Sequence, residues 1–372
     1  MHLRLTLAIV ALVLVGLADG SAAGVESQPR TLLSAPFVGW VAQDESLVAW
    51  SASAKGCDRV TVLDRRNGRR STIGLVLGSD DETCSTTGFT IAVGGRQVVW
   101  SAVANCCNND FGYVVTTSVG EPSTKFNGTS TDRDTGTFVT TMAGDGSALV
   151  YGLVTLDLVG PDCDLGDEPS CQYRFIAGEV RRVSGRKSVE IPGTVATALV
   201  AVSGPRLLAV PADVDACVQP PPALDPRGIE IGCWPTGAQN GPVQVRDVTT
   251  GRRLSSFAPA GLVVAAGLSP SLAAVLVEQS GTRRVELHNP STGRLLRSAS
   301  VPRGTREVAV AGARVVYSTA GGIHLLRTSG SRDPLLARAK GSVFALSIEG
   351  DRVVWAERGK RVDRIRELRL SS

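Results

Sequence analysis

The sequence lacks most of the residues and motifs that mark an enzyme. It has only three histidines in 372 residues, and two of them, His288 and His324, lie outside the N-terminal segment. No Gly-x-Ser-x-Gly elbow, phosphate-binding glycine loop or His-Glu-x-x-His motif occurs in it. Both histidines fall in predicted strands, which favours a structural role for them. The sequence therefore favours a protein that is not an enzyme, and we expect no cofactor.

Aromatic residues and net charge are also low. Aromatic side chains make up 5% of the chain, and the formal net charge of +4 is too weak to indicate a nucleic-acid partner. No long amphipathic helical period is present, whereas glycine is abundant at 41 residues. This composition predicts a protein of strands and turns.

The apolar run from Leu5 to Leu17 is too short to cross a bilayer, which needs about 20 residues. Arg4 precedes the run and the small residues 21–23 follow it, which is the order of a secretory signal peptide. The alternative, an uncleaved anchor, is disfavoured by the shortness of the run. We therefore predict a signal peptide over residues 1–23 and one secreted or extracytoplasmic domain over residues 24–372, with no transmembrane segment after cleavage.

Eight cysteines occur, and none of them forms a Cys-x-x-Cys pair with zinc spacing. In an exported chain this even number predicts disulfides. Short separations favour two bonds within single loops, Cys163 with Cys171 and Cys217 with Cys233. The other four, Cys57, Cys84, Cys106 and Cys107, leave three connectivities open. The adjacent Cys106 and Cys107 are not expected to pair with each other.

A repeated phrase organises the chain. The apolar segment 343–346 is followed by a glycine turn and a strand that reaches Trp355, and the same order recurs before Trp100 and Tyr317. Periods of about 40–50 residues are typical of β-propeller blades. We take the aligned residue as the last one of each blade's second strand. The aligned residues are Trp50, Trp100, Tyr151, Val210, Val277, Tyr317 and Trp355.

Each repeat continues with a second pair of strands around a glycine turn, as in 243–247 followed by 250–253. The sequence thus predicts an all-β fold, a seven-bladed β-propeller of four-stranded antiparallel blades. An open ring would expose sheet edges. We therefore expect Thr31–Leu33 to supply the fourth strand of the last blade and to close the ring.

Two turns resemble those of known propeller families. The segment Leu268-Ser269-Pro270-Ser271 is similar to the Ser-Pro-Asp-Gly repeat of TolB-type, WD40-like propellers, although Leu272 stands where that turn has glycine. The segment 247–252 is similar to the Asp-x-x-Thr-Gly-Lys turn of quinoprotein-like propellers. The Gly-His and Trp-Asp dipeptides of true WD40 repeats are missing. The resemblance implies a propeller of secreted type, and no cofactor follows from it.

The predicted turns sort the unusual residues onto two faces. The turns between first and second strands and between third and fourth strands collect arginines, which form either a basic annulus for an anionic polymer or, as we favour, solvated hairpin tips. These arginines are Arg69, Arg70, Arg96, Arg186, Arg206, Arg252, Arg253, Arg294, Arg314 and Arg352.

The opposite face, here called the disulfide face, receives every cysteine and most loop acids. Long loops are expected there in blades one to four, and long loops on a rigid scaffold are where function is usually placed. The protein should therefore be acidic on this face and basic on the other. The candidate binding residues are Asp80, Asp81, Glu82, Asp110, Asp162, Asp164, Asp167, Glu168, Asp213 and Trp234, with Asp215 nearby.

Asp162, Asp164 and Asp167 resemble half of a calcium loop, but the twelve-residue spacing to a bidentate glutamate is not met. An acidic turn inside a disulfide loop is the favoured interpretation, so no metal is predicted.

The predicted function is a monomeric, non-catalytic binding or scaffold protein whose partner, a protein or an envelope polymer, docks on the disulfide face of blades one to four. The alternative is a secreted propeller hydrolase or lyase acting on a polysaccharide. The central channel discriminates between the two hypotheses. Carboxylates converging there with an Arg or His would favour the enzyme, whereas small apolar walls would favour binding.

Overall fold

The computed structural model describes residues 28–54, 57–73, 90–106, 109–121, 124–132, 135–160, 172–218, 234–327 and 333–371. Every helix or strand in this part of the chain is a β-strand. Among the same residues, no helix has the length and apolarity needed to span a membrane. The predicted signal peptide, residues 1–23, lies outside the described residues.

The strands follow one another in short hairpins. In the first half of the chain they are β1 (Arg30–Ala35), β2 (Val38–Asp44), β3 (Leu47–Ala54), β4 (Cys57–Asp64), β5 (Arg69–Ile73), β6 (Ile91–Gly94), β7 (Gln97–Cys106), β8 (Asn109–Ser118), β9 (Thr124–Asp132), β10 (Thr135–Asp145), β11 (Ala148–Val159), β12 (Gln172–Ser184) and β13 (Lys187–Glu190). In the second half they are β14 (Thr197–Ser203), β15 (Arg206–Val218), β16 (Trp234–Gly237), β17 (Val243–Asp247), β18 (Arg253–Phe257), β19 (Leu262–Leu268), β20 (Ala273–Gln279), β21 (Thr282–His288), β22 (Leu295–Val301), β23 (Val308–Ala311), β24 (Arg314–Thr319), β25 (Gly322–Leu325), β26 (Leu335–Arg338), β27 (Ser342–Glu349), β28 (Arg352–Arg358) and β29 (Asp363–Arg369).

These strands form seven antiparallel blades, which confirms the predicted β-propeller. Blades one, five and six are β2–β5, β19–β22 and β23–β26. Blades two and three, β6–β9 and β10–β13, join into one eight-stranded sheet because β9 and β10 pair at Thr135 with Asp132 and Gly136 with Thr131. Blade four is β14, β15, β17 and β18, and β16 pairs with the far end of β15.

The ring is closed as the sequence predicted. Strand β1 pairs antiparallel with β29, with Arg30 opposite Glu367 and Ala35 opposite Asp363. Blade seven therefore contains β27, β28 and β29 from the C-terminal end of the chain and β1 from its N-terminal end. This pairing covers the edge of β29 that would otherwise be exposed.

The aligned residues of the repeat lie between adjacent blades. Trp50, Trp100, Tyr151 and Trp355 are all at most 2% exposed, and burial of one such side chain contributes about 1.5–3 kcal/mol. Trp100, for example, packs with Leu47 and other residues of blade one in a single apolar cluster. One detail of the prediction is wrong, because every aligned residue lies inside its second strand and not at the strand's end.

Blades two to four have long strands on the disulfide face. Strands β7, β8, β11, β12 and β15 each have 10 to 13 residues, whereas the second and third strands of blades five to seven have 4 to 7. Several residues predicted in loops therefore lie in strands, because the hairpins continue to pair beyond the blade. These residues are Cys106, Asp110, Asp213, Asp215 and Cys217, and Cys57 begins β4.

The quinoprotein-like turn shows why these residue types recur. Asp247 Oδ1 accepts hydrogen bonds from the backbone N–H groups of Thr249 (3.0 Å) and Thr250 (2.7 Å). Gly251 follows with a φ of +70° and lies against the backbone of Pro192, where a Cβ atom would collide with the Pro192 carbonyl. Asp247 therefore accepts the backbone N–H groups of the turn, and Gly251 allows blade four to approach blade three closely.

A buried ion-pair network holds the closing blade. The Glu367 side chain, only 4% exposed, lies 2.7 Å from Arg65 of blade one and accepts a 2.6 Å hydrogen bond from Nε of Arg30 on β1. Burial lowers the pKa of Arg65, and its pairing with Glu367 opposes that shift. Glu367 on β29 thus binds both β1, through Arg30, and blade one, through Arg65.

Truncation of Glu367 to alanine should leave Arg65 as an uncompensated buried charge and cost about 3–5 kcal/mol of stability. The matched control is Glu45→Ala, since Glu45 pairs with Arg66 at 3.2 Å but both side chains are more than half exposed. That loss should stay below about 1 kcal/mol. Urea denaturation measures both, and equal losses for the two variants would contradict the closure role of Glu367.

Candidate functional site

The first strands of the seven blades enclose a central cavity. Its volume is about 1110 Å³, and its walls come from β2, β6, β10, β14, β19, β23 and β27 together with residues at the strand ends. Concave sites of this size with mainly apolar walls and few polar groups are typical of ligand pockets. The cavity is therefore the candidate functional site of the described structure.

The middle of the cavity is a girdle of small residues. Side chains alternate along a strand, so the residue two positions before the end of each first strand lies on the same side as its last residue. In all seven blades that position is alanine or serine, and all seven residues line the cavity. They are Ala42, Ala92, Ala143, Ala201, Ala266, Ala309 and Ser347.

Three carboxylates meet at the mouth beside the first-to-second-strand turns. Asp44, Asp145 and Glu349 end the first strands of blades one, three and seven, and each offers an oxygen atom within 4.8 Å of the others. Asp44 Oδ2 accepts backbone N–H groups from Gly95 (2.5 Å) and Gly146 (2.8 Å). Asp145 and Glu349 line the cavity.

Asp145 also serves a turn, since its Oδ2 accepts the backbone N–H of Gly204 at 2.7 Å. Oxygen atoms of carboxylates are the ligands that Ca²⁺ and Mg²⁺ take, so this set is the one group among the described residues with the composition for a hard cation. Two of its members already bind turn N–H groups, which leaves Glu349 as the one whose carboxylate has no partner among the described residues.

Proximity and burial shift the acidity of this cluster. Burial raises the pKa of Asp44 in spite of its two backbone hydrogen bonds. Burial, followed by repulsion from Asp44 and Asp145, raises the pKa of Glu349 to about 7, while Arg65 acts in the opposite direction. Glu349 therefore changes charge near neutral pH.

The opposite mouth has a different character. Trp40 and Trp234, both partly buried, line it together with Arg306 and Glu307. Burial raises the pKa of Glu307 to about 8, and Arg306 lowers it. The Trp234 ring lies 5.8 Å from the ring of Phe138, which anchors it against blade three.

Most of the predicted binding residues lie outside the part of the chain that the structure describes. Trp234 is the one candidate that lines the cavity. Asp213 accepts the N–H of Asp215 (3.1 Å), and Asp215 pairs with Arg174 at 2.9 Å. The backbone of Asp110 lies in β8. The other candidates and five of the cysteines lie outside the described residues, namely Asp80, Asp81, Glu82, Asp162, Asp164, Asp167, Glu168, Cys84, Cys107, Cys163, Cys171 and Cys233.

The turn face, which is predicted to be basic, also carries a group of acids. Asp44, Asp145 and Glu349 lie at its centre, because the last residues of the first strands meet at the axis. Several arginines that were predicted as solvated hairpin tips contact a neighbouring blade. Arg70 donates to Leu32 O (3.1 Å), Arg206 to Pro270 O (2.9 Å) and Arg314 to Gly350 O (3.4 Å), and Arg96 lies 3.9 Å from Asp64.

Sequence reasoning missed the carboxylate cluster, although a signal existed. An acid directly before the first turn recurs in blades one, three and seven, and the alanine two positions earlier recurs in nearly every blade. The two histidines lie in third strands, as predicted. His288 stacks on Phe257 at 3.8 Å, and His324 stacks on Tyr317 at 5.1 Å.

These features define the class of protein, a seven-bladed β-propeller with a central cavity. Solved structures that it resembles include the Cps50 (Swd1) β-propeller domain of Myceliophteria thermophila, with a TM-score of 0.53 and 11% identity, covering 91% of this chain and 98% of that one. An acylaminoacyl peptidase gives a TM-score of 0.52 at 8% identity over 86% of this chain, which spans about half (49%) of the peptidase. At these identities the likeness shows the fold alone.

TolB from Acinetobacter baumannii and BamB from Moraxella catarrhalis are also among the structural neighbours. The TolB match has a TM-score of 0.38 at 12% identity and covers 71% of this chain and 54% of TolB. The BamB match has a TM-score of 0.41 at 16% identity and covers 88% of this chain and 85% of BamB. Comparison with protein-family models gives no match, and comparison with curated proteins gives none either.

Glutamine at position 349 should remove the repulsion in the cluster. Because folding raises the pKa of Glu349 from 4.5 to about 7, the stability linked to its proton is present below pH 4.5 and is lost as the pH rises through 7. Glu349→Gln should therefore melt a few degrees above the wild type at pH 8, and the difference should vanish near pH 4.5. Glu190→Gln, an exposed change on β13, is the control. A gain that did not depend on pH would contradict this account.

Proposed function

We propose that this protein is an exported, non-catalytic binding or scaffold propeller that uses the disulfide face of blades one to four. The observation that carries the proposal is the asymmetry of strand length. Blades two to four extend their second strands to 10–13 residues, whereas those of blades five to seven have 6–7. A propeller ring needs no such extensions for its own packing, and long hairpins on a rigid scaffold are typical of binding surfaces.

Side-chain contacts hold the bases of these hairpins in place. Phe138, Phe175 and Trp234 from blades three and four form one aromatic cluster, with ring separations of 6.4 Å and 5.8 Å. The pair of Arg174 and Asp215 joins β12 to β15 across the same two blades. The extensions of blades three and four therefore support each other, which favours a defined docking surface.

Exposed apolar side chains accompany the extensions. Ile176 on β12 is 53% exposed, Val214 on β15 is 49% exposed, and Val195 before β14 is 52% exposed. Ala196, the next residue after Val195, contacts Gly178 and accepts the N–H of Ala212, which places these segments side by side. Exposed apolar residues with charged neighbours are typical of protein-binding surfaces. A protein partner is therefore favoured over an envelope polymer.

The alternative is a hydrolase or lyase acting on a polysaccharide. Asp145 and Glu349 favour it, because two close carboxylates in a cavity are what glycoside hydrolysis requires. The alanine girdle and the engagement of Asp145 by a turn N–H favour binding. Release of reducing ends from a polysaccharide by the wild type, but not by Glu349→Gln, would support the enzyme.

Exchange of one hairpin tip tests the binding face. Asp157 pairs with Arg174 across β11 and β12, so residues 158–173 can be replaced by an Asn-Gly turn without breaking the register. The matched control puts the same Asn-Gly turn in place of Ser280-Gly281, which joins the short strands β20 and β21. A partner purified from the cell envelope should bind the wild type and the control and lose at least about tenfold in affinity for the exchange variant. Equal affinity for all three would contradict the proposal.

The predicted disulfides belong to the same proposal. Bonds of Cys163 with Cys171 and of Cys217 with Cys233 would each close one loop of the binding face and contribute about 2–3 kcal/mol on the chain-entropy account. Peptide mapping without reduction should recover these two pairs. A Cys163–Cys233 bond would instead contradict the division of these loops between blades three and four.

A further inference from the structure

Two carboxylates face the cavity without a partner. Glu307 and Glu349 both line it, and neither side chain makes a hydrogen bond or an ion pair within the described ranges. Both side chains are only partly buried, and neither carboxylate is shut off from the cavity. Both are therefore available to a cationic ligand that occupies the cavity.

The two carboxylates lie at opposite ends of the cavity. Glu307 immediately precedes β23, the first strand of blade six, and Ala311 ends that strand. Glu349 likewise ends the first strand of blade seven, so Ala311 and Glu349 lie at the same level, at the mouth beside the first-to-second-strand turns. Four residues of extended strand separate the two levels by about 13 Å. A ligand that meets both carboxylates must therefore be elongated and carry positive charge at each end.

The walls between the carboxylates are apolar. The girdle of six alanines and Ser347 offers no ionisable group, so the centre of the ligand must be uncharged and slender. At the end where Glu307 lies, Trp40 and Trp234 line the cavity, and aromatic rings attract an ammonium group through cation–π interaction. A chain of methylene groups with an amine at each end matches this arrangement of an apolar girdle between two carboxylates.

We propose that the central cavity binds a linear aliphatic diamine, with one ammonium group at Glu307 and the other at Glu349 and Asp145. The remaining charged groups near the two carboxylates are of both signs. Arg306 lies beside Glu307 at one mouth and Arg314 lines the other, while Asp44, Glu45 and Arg65 surround Glu349. This site lies inside the ring and shares Trp234 with the base of the docking surface on blades two to four.

Calorimetric titration of the whole protein with 1,8-diaminooctane at about pH 9 tests the proposal, because both carboxyls, with pKa values of about 7 and 8, are then ionised. The long diamine should bind at least about tenfold more tightly than 1-aminooctane, which carries one charge, or 1,3-diaminopropane, which cannot span the cavity. Its affinity should fall as the pH is lowered to about 6, where both glutamates are protonated. Equal affinity for the three amines, or binding of Ca²⁺ alone, would overturn the proposal.

Variants locate the site. Glu307→Gln and Glu349→Gln should each weaken binding of 1,8-diaminooctane by about tenfold or more, whereas the exposed Glu190→Gln should leave it unchanged. Ala201→Phe keeps every carboxylate but fills the girdle, and it should abolish binding. Unaltered affinity in both the glutamine variants and the girdle variant would place the diamine elsewhere and refute the assignment.

Discussion

Closure of the ring is the constraint on which the rest of this structure depends. The apolar cores lie between neighbouring blades, so every blade needs a partner on both sides to bury its faces. For the last blade one partner is blade one, whose residues share an apolar cluster with those of blade seven. The pairing of β1 with β29, more than 300 residues away in sequence, links the two blades. The charges of Arg30 and Arg65 meet Glu367 at that junction, where the two ends of the propeller domain come together.

The cavity follows from the same constraint. Seven first strands arranged around one axis leave a space whose width depends on the side chains that point inward. Small residues in the middle layer keep that space open, whereas the last residues of the strands converge at one mouth. Convergence explains why Asp145 raises the pKa of both Asp44 and Glu349, although the three residues are far apart in the chain.

Much of the fold was predictable because its determinants are local. Alternating strands, a glycine turn and a buried aromatic or aliphatic residue recur in each repeat, and each satisfies hydrogen bonds or burial within one or two strands. The strand β17 (Val243–Asp247) has the predicted bounds. The long hairpins were predicted as loops because their sequences carry no regular alternation. Their strand character comes from pairing across the hairpin, as between Asp110 and Thr131.

The sequence by itself determined the number of blades, their turns and the segment that closes them, because these depend on short-range hydrogen bonding and on a repeated apolar pattern. Only the tertiary structure decided which acids meet. The predicted candidates were sorted by face, but the approach of Asp145 to Glu349 depends on the curvature of the whole ring. Likewise, Glu307 and Glu349 become the two ends of one cavity only when the blades stand around a common axis. No local sequence pattern predicts contacts between acids that are this far apart in the chain.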